Sequence, residues 1–262
     1  MKNYIKRIED FTFAPFNSQI EYGDSGPLLI ATPRNGKNPQ YIIKHSYSDC
    51  AANEFVYTRL AQAMDLKMPD VVLFQGSDSH IRQKFQSKYI MGSMYVPIKI
   101  EKPTYQQIRN EAKNWQDYFR FLAMYTMLNE SDSFETPLST DGFVYRIDTS
   151  AAFGLDKSFI SAASMPPFQN MIREYILGLD YNKSWEERNY MGRLQHCIEL
   201  YGEESKSIFL EPFCRIIELS PAYVNDILNT LCIIYPDIIG DYYKQFIEGI
   251  QKQAALFIKH VK

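Results

Sequence analysis

The sequence predicts an α+β chain, β-rich over residues 1–100 and helical over residues 101–262. Three observations carry that expectation. Short apolar runs punctuated by glycine-containing turns fill the first hundred residues. From Thr104 onward apolar residues recur at helical spacing. The composition supports a packed core rather than disorder, with 45% hydrophobic, 15% aromatic and 23% charged residues among 262.

In order along the chain, residues 19–22 read as a short strand and "GDSG" (23–26) as a turn. "PLLIAT" (27–32) is a second strand, "PRNGKN" (33–38) a second turn, and residues 39–45 a third strand. A helix follows, with Ser48 or Asp49 as N-cap, a body over 52–66, and Val56, Leu60 and Ala63 on one face. "VVLF" (71–74) and "KYIMGSMYV" (88–96) are further strands. Thr104 and Gln107 have the spacing of a capping box, in which hydroxyl and amide each satisfy a backbone N–H at the helix start. That helix is expected to run to Leu128, with Trp115, Phe119 and Leu122 in step. Further helices are expected over 166–179, 184–201, 205–219, 221–235 and 237–260. The fourth of these opens on Ser220 as N-cap, with Pro221 at the first helical position.

Charge and composition exclude several function classes. Net charge is −3 with a pI near 5.9, and no basic block suggests a nucleic-acid surface. The opening MKNYIKRIEDF lacks the apolar stretch of a signal peptide. No run reaches the roughly 18 apolar residues that a membrane span needs. Cys50, Cys197, Cys214 and Cys232 are widely spaced with no C-x-x-C, which argues against zinc and fits reduced thiols in a cytoplasmic protein.

"YGDSGP" (22–27) has the look of a serine-protease motif, but no His precedes it to serve as base and the chain is too helical for that chemistry. It remains either a tight turn or a loop over phosphates, in which Gly23, Ser25 and Gly26 let backbone N–H groups approach a polyphosphate. Lys44 ends the apolar run Tyr41-Ile42-Ile43, and Glu54 lies ten residues on, near the start of the next helix. Each alone has a plain reading, an exposed strand-end lysine and a carboxylate that favours a helix N-terminus. Together, strand lysine and helix glutamate are the arrangement by which a kinase orients a lysine onto α and β phosphates.

"DGFVYRIDTSAAFG" (141–154) brings an apolar strand, Phe143-Val144-Tyr145, to a single carboxylate, Asp148. A strand-end Asp either caps its own turn at Thr149 or Ser150 or holds a hard cation such as magnesium against phosphate. Upstream, "LNESDSFETPL" (128–138) carries Glu130, Asp132 and Glu135, either an acidic surface loop or a catalytic loop. The order is glycine hairpin, strand Lys, helix Glu, long helix, acidic loop, strand, Asp, then helices. That is the serial order of a protein-kinase-like fold.

On these residues the chain resembles the HipA-like branch of the kinase superfamily, near the phosphatidylinositol 3/4-kinases. "YIIKH…NEFVYTRLAQAMDLKMP" is similar to that branch's strand Lys and N-E helix. Ile147, Asp148, Ser150, Ala152, Phe153 and Gly154 match its I-D-x-S-x-A-F-G. The resemblance spans residues 15–160. It implies a two-lobed protein-kinase-like fold, a β-rich lobe over 1–100 and a helical lobe over 101–262, with ATP in the cleft. It also implies magnesium-dependent phosphoryl transfer to a Ser or Thr of a protein. Lys44 would hold phosphates, Glu54 would orient Lys44, and Asp148 would bind magnesium.

The branch's N-x-D-R-H-x-x-N loop is not reproduced. Gap-free alignment from Asp148 sets Asp132 at the catalytic Asp, Phe134 in place of the His, and Pro137 in place of the metal-binding Asn. A shift of one or two residues offers Glu135 or Thr136 as metal ligand and Glu130 as general base. Two alternatives therefore stand beside a kinase of HipA-like type: a pseudokinase serving as a nucleotide-binding or protein-interaction module, and a small-molecule kinase.

Overall fold

A computed structural model describes residues 4–16, 28–36, 39–43, 48–75, 89–130, 133–154, 190–234 and 240–261. The expected strand at 19–22, the glycine turn, Lys44, Asp132 and the helix at 166–179 lie outside those residues. The described strands are β1 (Ile5–Arg7), β2 (Phe11–Pro15), β3 (Leu29–Pro33), β4 (Tyr41–Ile43), β5 (Val71–Gln75), β6 (Tyr89–Met94), β7 (Ile98–Ile100) and β8 (Leu138–Ser139). The helices are α1 (Ser48–Ala63), α2 (Tyr105–Glu111), α3 (Asp117–Met127), α4 (Tyr190–Tyr201), α5 (Glu204–Glu218), α6 (Pro221–Ile234) and α7 (Gly240–Val261).

Six strands form one mixed sheet in the order β1-β5-β6-β4-β3-β2, antiparallel except for the β1–β5 pair. No strand is expected before residue 19, yet two are present. The alternation of Phe11 and Phe13 in "FTFAP" is the period-2 signal of β2. Within the sheet β5 is buried on both faces. Val72 and Phe74 pack with Phe11, Leu29, Tyr41 and Ile43, whereas Val71 and Leu73 face α1 and the helical core. A strand covered on both sides reads as a continuous apolar run, as "VVLF" does.

α1 starts at Ser48 and is buried at every residue from Ala51 to Thr58. A helix buried on every face belongs to the core rather than to the surface. It therefore carries Asn53 and Glu54, both almost fully buried, into the interior. Its apolar residues share one core with α3 and α7, through Phe55, Leu60, Phe121, Met124, Phe246 and Ile250 among others.

The caps expected at Thr104 and Ser220 both form. Thr104 N–H donates to Gln107 Oε1 (2.8 Å) and Gln107 N–H to Thr104 Oγ1 (3.3 Å). Tyr223 N–H donates to Ser220 Oγ (3.2 Å) ahead of Pro221. The single helix expected from Thr104 to Leu128 is instead two, broken over residues 112–116. The cause is long-range. Asn114 takes both backbone groups of Val144, accepting from its N–H (2.7 Å) and donating to its C=O (3.0 Å). Lys113 N–H donates to Gly142 O (2.8 Å). These bonds cannot form while residues 112–116 stay helical.

The strand expected over 143–145 is reduced to one bridge, Leu138 to Val144, because the Asn114 side chain occupies Val144. The turn at 139–143 is closed by Ser139 N–H to Phe143 O (2.9 Å), with Gly142 at φ +80°, a conformation costly for a residue with a Cβ. Among the described residues no helix is long and apolar enough to cross a membrane.

Candidate functional site

Three segments converge on Asp148. The first is the segment itself. Asp148 is half-buried, with φ 53°, in the left-handed region that Asp tolerates better than most residues. Ser150 Oγ donates to Asp148 Oδ1 (3.2 Å), so the turn-capping reading of this Asp is met in part. Five residues on, Phe153 takes φ 67°, which is costly for a bulky residue and persists only where the surroundings enforce it. They do so here. Phe153 N–H donates to Leu128 O (2.5 Å), its carbonyl accepts from Tyr242 OH (3.0 Å), and its ring meets Tyr243 and Phe246 edge-on at 5.3 Å each.

The second segment is α1. Asn53 Nδ2 donates to Ser150 O (2.7 Å), and Asn53 Oδ1 accepts from Tyr243 OH (2.7 Å). One buried amide thus ties α1 to the Asp148 segment and to α7. Its neighbour Glu54, 4% exposed, is carried into the same interior.

The third segment is the loop after α3. Residues 135–137 run alongside 145–147, with Tyr145 N–H to Pro137 O (3.2 Å) and Ile147 N–H to Glu135 O (3.4 Å). Glu135 is therefore next to the residue that precedes Asp148. It is half-buried, and its carboxylate accepts from Ser133 Oγ (2.9 Å).

Arg146 lies beneath all of this, fully buried. One terminal nitrogen donates to Glu135 O (2.9 Å) and Ile147 O (2.6 Å). The other donates to Ser133 O (3.2 Å) and forms an ion pair with Glu130, whose side chain is also wholly buried. Burial opposes the charge on Arg146. The Glu130 carboxylate, with smaller contributions from Tyr57, Asp148 and Glu135, more than offsets burial and raises the guanidinium pKa above its ordinary value. Burial, and then the Glu130 charge, hold the nearby Tyr57 hydroxyl well above the usual tyrosine range. The reading of Glu130 as a general base does not fit, because its carboxylate is sealed from solvent and committed to an ion pair.

Phe134 packs edge-on against Tyr118 (5.5 Å) and Tyr125 (5.4 Å), with the Arg146 guanidinium 5.3 Å from its ring centre. Pro137 is buried and uses its carbonyl in the strand-like pairing. The two positions where the HipA-like loop pattern is broken are thus built into the packing of the loop.

Of the sequence-predicted residues, Glu135 lies on the backbone paired with Ile147, next to Asp148, and Glu54 is buried in α1 beside Asn53. Gly23, Ser25, Gly26, Lys44 and Asp132 lie outside the described residues. Sequence reasoning missed Asn53, Arg146 and Tyr243. Asn53 was available in the N-E pair, and Arg146 is the sole basic residue in 141–154. Nothing local marks Tyr243.

Among the described residues no cluster of three or more Asp, Glu, His or Cys is placed to enclose a metal. Asp148 and Glu135 offer two hard oxygen donors on adjacent backbones. Magnesium commonly takes one or two carboxylates plus substrate phosphates rather than a full protein cage. The donor set present fits that kind of site.

No known protein-family signature matches the chain, and no curated protein matches it in sequence. Among solved structures it is similar to the crystal structure of CtkA, a proinflammatory kinase of Helicobacter pylori. The TM-score is 0.51 at 11% identity, over 92% of this chain and 91% of that one. At that identity the likeness is one of fold, and the fold is kinase-like.

Proposed function

We propose that this protein is a magnesium- and ATP-dependent phosphotransferase, a kinase of HipA-like type acting on a Ser or Thr of a protein. One observation carries the reading. Asn53 of α1 bonds Ser150 O and the Glu135 carbonyl accepts from Ile147 N–H, on either side of Asp148, in a chain whose fold is similar to that of a kinase. The two-lobed arrangement, with ATP between a sheet-bearing lobe and a helical lobe, belongs to this proposal.

In the reaction Lys44 would hold the α and β phosphates, and the buried carboxylate of Glu54 would orient it, since a buried carboxylate requires a cationic or hydrogen-bonding partner. Gly23, Ser25 and Gly26 would cover the phosphates with backbone N–H groups. Asp148 and Glu135 would hold magnesium, which supplies charge neutralisation at the phosphate oxygens. Asp132 would accept or orient the proton of the substrate hydroxyl. Catalysis would consist mainly of positioning. The free thiols of Cys197, Cys214 and Cys232 suit a reducing, cytoplasmic setting, and neither a nucleic acid nor a membrane partner is part of the reading.

A second reading, a pseudokinase that binds nucleotide or a protein without transferring phosphate, is favoured by Phe134 and Pro137. Both are committed to packing and backbone pairing where the HipA-like pattern has a His and a metal-binding Asn.

A thermal-shift titration with ATP, with and without magnesium, tests the shared premise. Stabilisation by ATP that magnesium enhances is expected. Absence of stabilisation in both conditions would remove the nucleotide reading altogether.

A further inference from the structure

We infer that Arg146 is a positioning residue, whose buried guanidinium ties Glu130 and residues 133–135 to the segment carrying Asp148 and so sets where Glu135 and Asp148 meet a metal–nucleotide complex. The inference rests on the function proposed above. Its ground is the contact set. Arg146 joins the Glu130 carboxylate, Ser133 O (3.2 Å) and Glu135 O (2.9 Å) on the loop to Ile147 O (2.6 Å) on its own segment.

Phe134 also packs edge-on against Tyr118 and Tyr125, and Ser133 Oγ donates to the Glu135 carboxylate. Backbone bonds from Tyr145 N–H to Pro137 O (3.2 Å) and from Ile147 N–H to Glu135 O (3.4 Å) are its ladder to the strand, the second of them long. Toward its start, Glu130 N–H donates to Tyr125 O (3.2 Å). At Glu130, Ser133 and Glu135 a rigid fork of donors adds to these contacts. An ammonium has the charge but not the planar five-donor geometry, so lysine cannot reproduce it.

Stability does not account for the pair. Two fully buried charges cost desolvation that their attraction roughly offsets, and a hydrophobic pair of similar volume holds a core as well or better. What the ion pair adds is a fixed direction for three backbone carbonyls. Groups that orient metal ligands without touching the metal typically change affinity by about 10–100-fold when removed.

The test uses the full chain, with manganese as a paramagnetic stand-in for magnesium. Arg146→Met combined with Glu130→Leu removes both charges together and avoids stranding one. Arg146→Lys keeps the charge and loses the fork. Three quantities are read for each protein: the thermal midpoint, the affinity for ATP without metal, and the affinity for manganese with ATP present. The expected result is a folded double variant with unchanged metal-free ATP binding and manganese affinity reduced by about 10-fold or more. Arg146→Lys should shift manganese affinity in the same direction, and it decides the matter if the double variant does not fold. Wild-type manganese affinity in either folded variant overturns the inference alone. A wild-type protein that takes up neither ATP nor manganese overturns the proposed function and this inference together.

Discussion

Replacing Asn53 by Ala should be among the most damaging changes that leave the apolar core intact. The side chain makes two bonds, to Ser150 O and from Tyr243 OH, each 2.7 Å long. Asn53 and Tyr243 are both 1% exposed, so the tyrosine hydroxyl has no water to turn to. Leaving a buried polar group unsatisfied costs about 1–3 kcal/mol. Ser150 is half-exposed and can be rewetted, so its carbonyl contributes at the low end. The sum for Asn53→Ala is about 2–4 kcal/mol. Tyr243→Phe removes one partner of one bond and should cost about 1 kcal/mol. The double variant should cost less than the two single changes together, because both break the same contact. Urea unfolding at 25 °C, with midpoints compared at constant slope, measures all three. A cost for Asn53→Ala below about 0.5 kcal/mol, the range of an ordinary surface change, would refute the reasoning. So would strict additivity of the two variants.

Asp148→Asn should abolish the magnesium enhancement of ATP stabilisation while leaving metal-free ATP binding in place, and an unchanged response to magnesium would contradict its role as ligand. If the loop contributes a base and a second metal ligand, Asp132→Ala and Glu135→Ala should each lower the rate by about 10²–10⁴; transfer undiminished in Asp132→Ala would show that the loop alignment is wrong. Asp141 should matter to stability only above acidic pH. Burial alone would raise its pKa, but the Ser139 hydroxyl, the Lys67 charge and the Tyr145 hydroxyl bring it below the ordinary value of 3.8. A depressed carboxylate stabilises the fold above its unfolded pKa and loses that contribution as pH falls through the folded one. Asp141→Asn should therefore be less stable than wild type near neutral pH and converge with it in acid, and a constant difference down to low pH would count against the assignment.

What was legible in the sequence was what local chemistry decides. The capping box at Thr104, the Ser220 cap before Pro221, the apolar run of β5 and the positions of α5 to α7 each depend on residues a few positions apart. What was not legible depends on partners far along the chain. The helix break at 112–116 is caused by Asn114 bonding Val144, thirty residues away, and apolar spacing through Trp115 and Phe119 gives no sign of it. The same holds at the site. Glu54, Glu135 and Asp148 could be nominated by residue type and order. The sorting of the acidic loop, with Glu130 buried against Arg146 and Glu135 left half-exposed, follows from which carboxylate the guanidinium reaches, and charge pattern does not encode that.

Transfer of labelled γ-phosphate from ATP tests the central claim most directly. Wild-type protein is incubated with labelled ATP in magnesium and in excess chelator, alone and with a pool of proteins, and Asp148→Asn runs as the control. The account predicts label on Ser or Thr of the protein itself or of the pool, present with magnesium and lost with chelator or in Asp148→Asn. Wild-type protein that binds ATP with magnesium and yet labels nothing would contradict the phosphotransferase claim and leave the pseudokinase reading in its place.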